Sequence, residues 1–281
     1  MSRRLLSILL VVFLSLHPSL AGKHPTCRLL LSQTLEHIYK VKTASYTLHA
    51  AERVNENVLK ASSQIKLQVT PRKLYLKNNK GVEVLYNEQA SKGEALVNPN
   101  SFPYINLKLD PYRSIMRNNQ HHTIFELGFH HIGSILSNAV KSSEAQFEKW
   151  FTYLGLIKFN NRECHKIIFE YPDFKYIKYN VKHKETVRSI AHKFGIGEYR
   201  IMINNQNISY TDFIREGRVL SIPNVYASKT VIYIDKELLL PVYIKAYDDH
   251  GFYESYEFED LKTNLNFSAK EFEKTYSGYG F

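Results

Sequence analysis

The sequence lacks the features that mark several common classes of protein. It contains two cysteines in 281 residues, and neither belongs to a C-x-x-C pair, which excludes a metal site built on a cysteine cluster. It has no glycine-rich phosphate loop, no H-E-x-x-H motif and no Ser-His-Asp order. It also has no dense run of lysine and arginine, which argues against nucleic acid as a partner. These absences favour a non-enzymatic protein.

Long apolar runs are also scarce, and the one at the N-terminus predicts export. Two arginines precede the apolar run Leu5–Leu16, and Pro18 and the small-residue site Ser19–Ala21 follow it. This order is typical of a secretory signal peptide over residues 1–21, cleaved after Ala21. The run is short for a transmembrane helix, so an uncleaved N-terminal anchor is the competing interpretation. We therefore expect a periplasmic or otherwise exported protein of the cell envelope.

The chain is basic, with a formal net charge of +10. Loss of the two arginines of the signal lowers this charge to +8, because the rest of that segment is uncharged. A basic exported protein attracts anionic lipid head groups and acidic wall polymers, so peripheral contact with a membrane stays open. The alternative is that the charge only maintains solubility.

The two cysteines predict a disulfide. Cys27 and Cys164 are far apart in the sequence, and an even number of cysteines in an oxidising compartment favours pairing. The bond would close a long loop and stabilise the fold by on the order of 4 kcal/mol. Two buried free thiols are the alternative.

Most of the chain alternates strand-like runs with two helix-like ones. Apolar residues at helical spacing predict helices over 26–40 and 121–140, and the capping box from Ser268 to Glu271 predicts a short terminal helix. The predicted strands cover residues 45–53, 64–69, 73–77, 83–86, 94–97, 152–159, 164–171, 230–234, 242–247 and 252–258. So many antiparallel strands tend to curl. A helix over 121–140 would fill the concave face incompletely and leave an apolar cavity.

Four stretches carry a resemblance to a known family, namely "GVEVLYNE", "LKLDPYR", "HHTIFELGF" and "LPVYIKAYDDHGFYESYEFEDLKTN". They resemble exported bacterial proteins of unknown function that are grouped with the LolA/LolB lipoprotein carriers and related lipid binders. The likeness covers most of residues 27–172 and 228–281. It implies an α+β fold in which a LolA-like antiparallel half-barrel, residues 22–174 and 227–281, wraps around helices. A lipid or lipoprotein ligand is implied only by analogy of fold.

Residues 175–226 interrupt this pattern with the order βααβ. Thr186 caps a helix that starts at Val187, and a second helix over 198–204 leads to a strand that ends before Pro223. This order resembles a LysM domain. The residues that carry the likeness are Val181, Thr186, Ile190, Ala191, Phe194, Ile201, Asn205, Ile214, Gly217, Leu220, Ile222 and Pro223. Antiparallel pairing of the two strands would bring the ends of the module together, which permits its insertion into a loop of the host.

The LysM resemblance implies binding of glycans that contain N-acetylglucosamine, chiefly peptidoglycan and chitin. The groove implied by the resemblance lies between the first strand–helix turn and the loop after the second helix. Here these two segments consist of His183, Lys184, Glu185, Thr186, Asn205, Gln206, Asn207 and Ile208. The first turn, Lys184-Glu185-Thr186-Val187, departs from the usual Gly-Asp-Thr-Leu of the family, and loss of the glycine is expected to alter the backbone of the turn, because only glycine accepts positive φ without cost. A spacer or a protein-docking surface is the alternative.

Two further side-chain groups are candidates for chemistry. His122, Glu126 and His130 repeat every four residues in the helix predicted over 121–140, with His121 and His131 beside them. Three residues spread over two turns reach too far to bind one ion. The prediction is therefore that the histidines bond to neighbouring strands, with no metal site and no cofactor.

A glycan-cleaving enzyme would need two carboxyl groups about 5 to 10 Å apart. Glu185 and Glu216 are the only pair near the groove, and neither lies in an apolar stretch that would raise its pKa. The sequence thus predicts a non-enzymatic envelope protein. Its LysM module would bind peptidoglycan-type glycan, and its half-barrel would bind a lipid or another hydrophobic ligand. The alternative is an assembly protein in which both parts dock other proteins.

Overall fold

A computed structural model describes residues 26–102 and 104–281. The predicted signal peptide and its cleavage site lie outside the described residues. Within these ranges, none of the helices combines the length and the hydropathy that crossing a membrane requires.

The described residues form six α-helices and thirteen strands. The helices are α1 Cys27–Lys40, α2 Ser114–Arg117, α3 Phe129–Ser142, α4 Phe147–Trp150, α5 Val187–Phe194 and α6 Glu198–Ile203, with short 3-10 helices at Glu144–Gln146 and Ala269–Phe272. The strands are β1 Thr43–Val54, β2 Asn57–Gln68, β3 Lys73–Asn78, β4 Glu83–Asn87, β5 Ala95–Asn98, β6 Leu107–Leu109, β7 Phe151–Phe159, β8 Arg162–Glu170, β9 Tyr176–Asn180, β10 Val219–Pro223, β11 Lys229–Asp235, β12 Pro241–Asp248 and β13 Gly251–Thr263. Each predicted strand overlaps one of them.

Eleven strands form one antiparallel sheet. Their order is β6-β5-β4-β3-β2-β1-β13-β12-β11-β8-β7, and every neighbouring pair is antiparallel. Most residues of β1 alternate between buried and half-buried, as expected when one face of a strand is covered. The covered face packs against α1 and α3. The predicted α+β fold, an antiparallel half-barrel around helices, is therefore confirmed.

Aromatic residues join the helices to the sheet. Phe129 of α3 stacks on Phe258 of β13 with ring centroids 5.0 Å apart, and Tyr46 of β1 lies 5.1 Å from the same ring. Gly133 lets α3 approach α1, because a Cβ atom there would lie 2.7 Å from Cγ2 of Ile38. The side chains of Ile38, Tyr46, Phe129 and Phe258 are all buried. The core thus lies between the two long helices and the middle of the sheet.

The predicted disulfide is not formed in this structure. Cys27 and Cys164 are free, buried thiols. Cys27 of α1 packs in a cluster with Leu30 and Leu31, whereas Cys164 of β8 packs in a different cluster with Ile38. Burial raises the pKa of both thiols to about 11. Each cysteine therefore packs in the core as a small apolar side chain does.

The helix predicted over 121–140 begins eight residues later than expected. Residues 118–128 form a loop, and α3 starts only at Phe129. The cause is Gly128, which has φ +94° and ψ −175°, a conformation that other residues rarely adopt. A Cβ atom at Gly128 would also lie 2.5 Å from Cδ2 of Leu67. The chain therefore turns sharply where helical periodicity alone suggested continuation.

The βααβ segment forms a small sheet of its own. β9 pairs with β10, so that Tyr176 lies opposite Pro223, and within the described ranges neither strand joins the large sheet. The segment has its own apolar cluster, which includes Val181, Val187, Ile190, Ala191, Ile196, Ile201, Ile214, Leu220 and Ile222. Thr186 caps α5 by accepting a hydrogen bond from Ser189 N. The insertion of a βααβ module predicted from sequence is present.

Candidate functional site

A cavity of about 540 Å³ lies between α3 and the covered face of the large sheet. Much of its wall is apolar, and the side chains that form this part include Leu48, Ile132, Leu136, Phe169, Ile244 and Phe258. The volume falls in the range of roughly 300–1,000 Å³ that is usual for small-molecule sites. The interior of the half-barrel is therefore open rather than packed solid.

One end of the cavity is polar, and Glu254 of β13 lies at its centre. This carboxylate is 2% exposed and accepts hydrogen bonds from His121 Nδ1 at 2.8 Å, from His122 Nε2 at 3.3 Å and from the hydroxyl of Tyr226. Burial opposes its ionisation, but the charge of His122 and the hydrogen bonds of both histidines hold the pKa of Glu254 well below its usual range. The polar end therefore carries a buried negative charge.

Glu126, His122 and His131 complete the polar end. Thr123 N donates to the Glu126 carboxylate at 2.7 Å, and the Nε2 atom of His131 lies 3.9 Å from Oε1 of the same group. Although burial opposes protonation, the carboxylates of Glu254 and Glu126 raise the pKa of His122. Burial and the nearby His122 lower the pKa of His131 to about 4. The pKa values of the two imidazoles beside the Glu126 carboxylate are thus shifted in opposite directions.

The prediction that these histidines bond to strands is confirmed for His121, whose Nδ1 lies 2.8 Å from the Glu254 carboxylate of β13 and whose Nε2 lies 2.9 Å from the carbonyl oxygen of Arg53 on β1. His122, Glu126 and His130, the three residues considered in the sequence, are not brought together, but His131 takes the place of His130 because the helix is not continuous. With the turn before α3, the ligand atoms of His122, Glu126 and His131 lie within 4.8 Å of one another. His130 is directed elsewhere and packs edge-on against Tyr39 at 5.6 Å. The glycine of "ELGFHH" was the signal in the sequence for this turn.

The first loop of the predicted glycan site has two exposed and two half-buried residues. His183 and Lys184 are exposed, and His183 Nδ1 lies 3.1 Å from the carboxylate of Glu216. Glu185 instead serves the fold of the turn, since its carboxylate accepts hydrogen bonds from the Tyr179 hydroxyl and from Lys182 N, each at 2.8 Å. The side chain of Thr186 is used as the helix cap.

The second loop is similarly divided. The side chain of Asn205 donates to the carbonyls of Ile201 and Ser221 and accepts from Ser221 N, so it holds the loop against β10. Gln206 and Asn207 are exposed, and Ile208 is half-buried.

Both loops contact the segment that leads into β10. The guanidinium of Arg218 donates to the carbonyls of Gln206 and Asn207, and Ile214 N donates to the carbonyl of Glu185 at 2.9 Å. This shared support holds the exposed side chains of the two loops on one scaffold.

The carboxylate pair considered from the sequence, Glu185 and Glu216, lacks the properties of a glycosidase pair. Burial raises the pKa of Glu185, but hydrogen bonds from Lys182, Tyr179 and Lys193 outweigh it, so the pKa is lowered overall. A general acid for glycan cleavage needs the opposite shift. The side chain of Glu216 is 65% exposed. The arrangement therefore suits hydrogen bonding rather than proton transfer.

Lys184 occupies the position at which the LysM pattern has glycine, and its φ is +56°. The left-handed conformation costs a residue with a side chain roughly 1–2 kcal/mol, while glycine loses roughly 0.5–1 kcal/mol more entropy on folding. We expect Lys184→Gly to stabilise the protein by about 0.5–1 kcal/mol in urea unfolding. Lys182→Gly, two residues earlier and without positive φ, is the control and is expected to destabilise. Equal destabilisation by both substitutions would contradict this account.

The inserted module is docked on the host through buried charges. Arg117 of α2 bonds to Glu198 of α6 at 2.5 Å, and their side chains are 0% and 7% exposed. Arg200 of α6 lies over the ring of Tyr253 at 3.7 Å and 3.4 Å from the carboxylate of Asp248. The two protein parts therefore share an interface that is partly ionic. The sequence does not predict this interface, because arginine is usually a surface residue and nothing local indicates that Arg117 and Arg200 are buried.

Together these observations define a half-barrel protein that encloses a cavity and carries an inserted LysM module. The chain belongs to the family described as "Protein of unknown function (DUF1571)", whose model matches residues 41–187. The model of the LysM domain matches residues 179–223. The family match ends where α5 begins, so strands β11–β13 on the far side of the insertion lie outside it.

Solved structures with a similar fold include a LolA superfamily protein from Nitrosomonas europaea, at 8% identity and a TM-score of 0.34 over 90% of this chain and 100% of that one. The lipoprotein LppX of Mycobacterium tuberculosis has 10% identity and a TM-score of 0.37 over 85% and 98%. The Pseudomonas aeruginosa MucA/MucB complex has 10% identity and a TM-score of 0.37, and the match covers 86% of this chain and 60% of that one. At these values the likenesses carry no argument about ligands. The comparison with curated proteins finds no match.

Proposed function

We propose that this chain is a non-enzymatic binding protein of the cell envelope with two binding sites. In this proposal the module formed by residues 175–226 binds peptidoglycan-type glycan. The half-barrel formed by residues 22–174 and 227–281 binds a lipid or another hydrophobic ligand in its cavity. The open apolar cavity beneath α3 is the observation that carries the second half of the proposal.

The glycan half of the proposal is supported by the LysM match and by the exposure of the two loops. His183, Lys184, Gln206 and Asn207 are free of the host surface, and backbone groups nearby can hydrogen-bond an N-acetyl group. Glu185, Thr186 and Asn205 act in the proposal by holding the loops in shape, and Ile208 offers the apolar contact. Shallow polar sites of this kind bind weakly one at a time.

Co-sedimentation with insoluble peptidoglycan tests this half. Removing the side chains of His183 and Gln206 together is expected to weaken binding about tenfold, since two net hydrogen bonds contribute roughly 0.5–1.5 kcal/mol each. His192→Ala is the control, because His192 is an exposed histidine of α5 outside both loops. Pelleting of the double variant to the same extent as the native protein would rule out this site.

Mass spectrometry of gently purified protein tests the hydrophobic half. We expect a non-covalent apolar molecule to accompany the protein, or a fluorescent fatty acid to bind in the emptied cavity. Preparations that carry no such molecule and that fail to bind the probe would contradict ligand carriage.

An assembly protein remains the second candidate, because one segment exposes large apolar side chains. Phe102 is 87% exposed, and Tyr104, Ile105 and Ile115 are 73%, 54% and 63% exposed. Such clustering is typical of surfaces that meet other proteins. A protein that binds neither glycan nor the fatty-acid probe, but loses a partner when Phe102 and Tyr104 become serine, would favour this alternative.

A further inference from the structure

Three side chains at the polar end of the cavity face one another as ligands of a single ion would. Nδ1 of His122 lies 3.6 Å from the carboxylate of Glu126, and Nε2 of His131 lies 3.9 Å from it. We propose that His122, Glu126 and His131 form a binding site for a divalent transition-metal ion, with Zn²⁺ as the best match. The evidence for this site does not rest on the proposed function, although the site lies at one end of the same cavity.

The distances suit a small ion. Zinc ligands lie about 2.0–2.2 Å from the metal, so tetrahedral neighbours are roughly 3.4 Å apart. The ligand atoms of the three residues already lie within 4.8 Å of one another, so side-chain rotations that move them by on the order of 1 Å complete the site. The residues come from a loop and from the first turn of α3, which Gly128 places side by side.

His131 provides a ligand atom with nothing else to bond. Its Nε2 atom is buried and has no hydrogen-bond partner among the described residues, whereas buried polar atoms in proteins are nearly always paired. A metal ion at the cavity end would satisfy this nitrogen. Oε1 of Glu126 lies 3.9 Å from this nitrogen, while Oε2 of the same carboxylate accepts two hydrogen bonds from Thr123.

Neighbouring groups orient the ligands as they do in known metal sites. A ligating histidine usually donates its second ring N–H to a carboxylate, which fixes the tautomer. Nε2 of His122 is placed to donate to Glu254 at 3.3 Å, and this leaves Nδ1 for the ion. Glu254 is itself held by His121 and by the Tyr256 hydroxyl, at 2.8 and 3.2 Å. Glu254 is therefore a positioning residue in this site.

The type of ligand selects the class of metal. Two imidazole nitrogens and one carboxylate suit Zn²⁺ and related transition ions, while Ca²⁺ and Mg²⁺ prefer oxygen ligands. Three protein ligands leave one position for water or for a group of the cavity's occupant.

A second group of possible ligands, formed by Glu52, His122 and Glu254, is a weaker candidate for a metal site. Both of its carboxylates already accept hydrogen bonds, that of Glu52 from His121 N at 2.8 Å.

Calorimetric titration of Zn²⁺ into untagged protein stripped with a chelator tests the site. We expect one ion per chain and a rise in the melting temperature on loading. Co²⁺ should give visible absorption bands of a site with nitrogen and oxygen ligands. In His131→Gln the affinity should fall by more than about 100-fold, because even loss of an orienting partner costs roughly 10–100-fold. In Glu254→Gln the affinity for Zn²⁺ should fall by roughly 10–100-fold, because only an orienting partner is lost.

His130→Gln is the matched control, because His130 is the adjacent histidine of α3 and packs against Tyr39 outside the cluster. It should bind Zn²⁺ as the native protein does. Glu126→Gln repeats the test should His131→Gln fail to fold, as judged by circular dichroism. Absence of stoichiometric binding in the native protein would overturn the proposal. So would native affinity in both His131→Gln and Glu126→Gln.

Discussion

Replacing Arg117 with alanine is expected to destabilise the protein by about 3–5 kcal/mol, the usual cost of leaving a buried charge without its partner. The stranded charge is the carboxylate of Glu198, which is 7% exposed on the docked face of the module. Arg188 compensates weakly, since it lies 3.6 Å from Glu198 and is 41% exposed. The substitution also removes the guanidinium that lies 3.7 Å from the ring of Tyr210. Urea unfolding of the full chain measures the loss.

Arg113→Ala is the control for this effect. Arg113 is four residues away, and its ion pair with Asp110 spans 3.6 Å with side chains 70% and 42% exposed. Exposed pairs of this kind contribute roughly 0.2–1 kcal/mol. Changing Arg117 to methionine and Glu198 to glutamine together should recover much of the loss, because neither charge is then stranded. A loss from Arg117→Ala no larger than that of the control would show that the module is not docked through this pair.

The loss should also depend on pH. Burial raises the pKa of Glu198, and the opposing effect of Arg117 disappears in the alanine variant. A raised pKa in the folded state means that the stability is retained at low pH and is lost as the pH rises through the folded value. The destabilisation should therefore be largest near pH 8. It should shrink as the pH falls toward 4.5, the ordinary value for a glutamate.

Replacing Ala139 with tryptophan is expected to reduce the bound hydrophobic ligand to under about one tenth of the native amount. Ala139 lies on α3 and lines the cavity, so an indole there occupies space that the ligand needs. In a tightly packed core the same change would cost roughly 1–3 kcal/mol through overpacking. An open cavity accepts the ring at smaller cost. Mass spectrometry of the extracted ligand and binding of a fluorescent fatty acid measure the effect.

Lys141→Trp places the same bulk on an exposed position of α3 and should leave the ligand in place. Unfolding curves for both variants separate a blocked cavity from a damaged fold. Native ligand content in the Ala139 variant would mean that the hydrophobic molecule binds elsewhere. A severe loss of stability without any ligand in the native protein would mean that the cavity closes in solution.

Much of the fold follows from patterning in the sequence. Alternating apolar residues mark the long strands, and a spacing of three and four residues marks α1 and α5. Apolar periodicity fails at residues 121–128 because the apolar positions continue across Gly128, while the backbone there cannot remain helical. Strand β2 also begins seven residues before its predicted start, since its first half, from Asn57, is largely exposed and shows no alternation of apolar and polar residues. Side-chain pattern is informative only where one face is buried.

The candidate sites differ in how far the sequence predicts them. The two LysM loops lie within one short segment that resembles a known domain, so the resemblance names their residues in advance. The cluster of His122, Glu126 and His131 depends on a turn, and Glu254 reaches it from β13, more than a hundred residues away. The docking of Arg117 on Glu198 likewise joins distant segments through burial, which composition does not reveal. Contacts of this kind follow from the tertiary fold rather than from any local motif.

The ionic docking of the module limits its use as a portable unit. Transfer of residues 175–226 into another scaffold would also transfer Glu198 and Arg200. In this protein these two charged side chains pair with Arg117 and Asp248 of the host. Without an arginine and an aspartate to receive them, the graft would present both as unpaired groups at a new junction. A transferable version therefore needs neutral, water-compatible residues at these two positions.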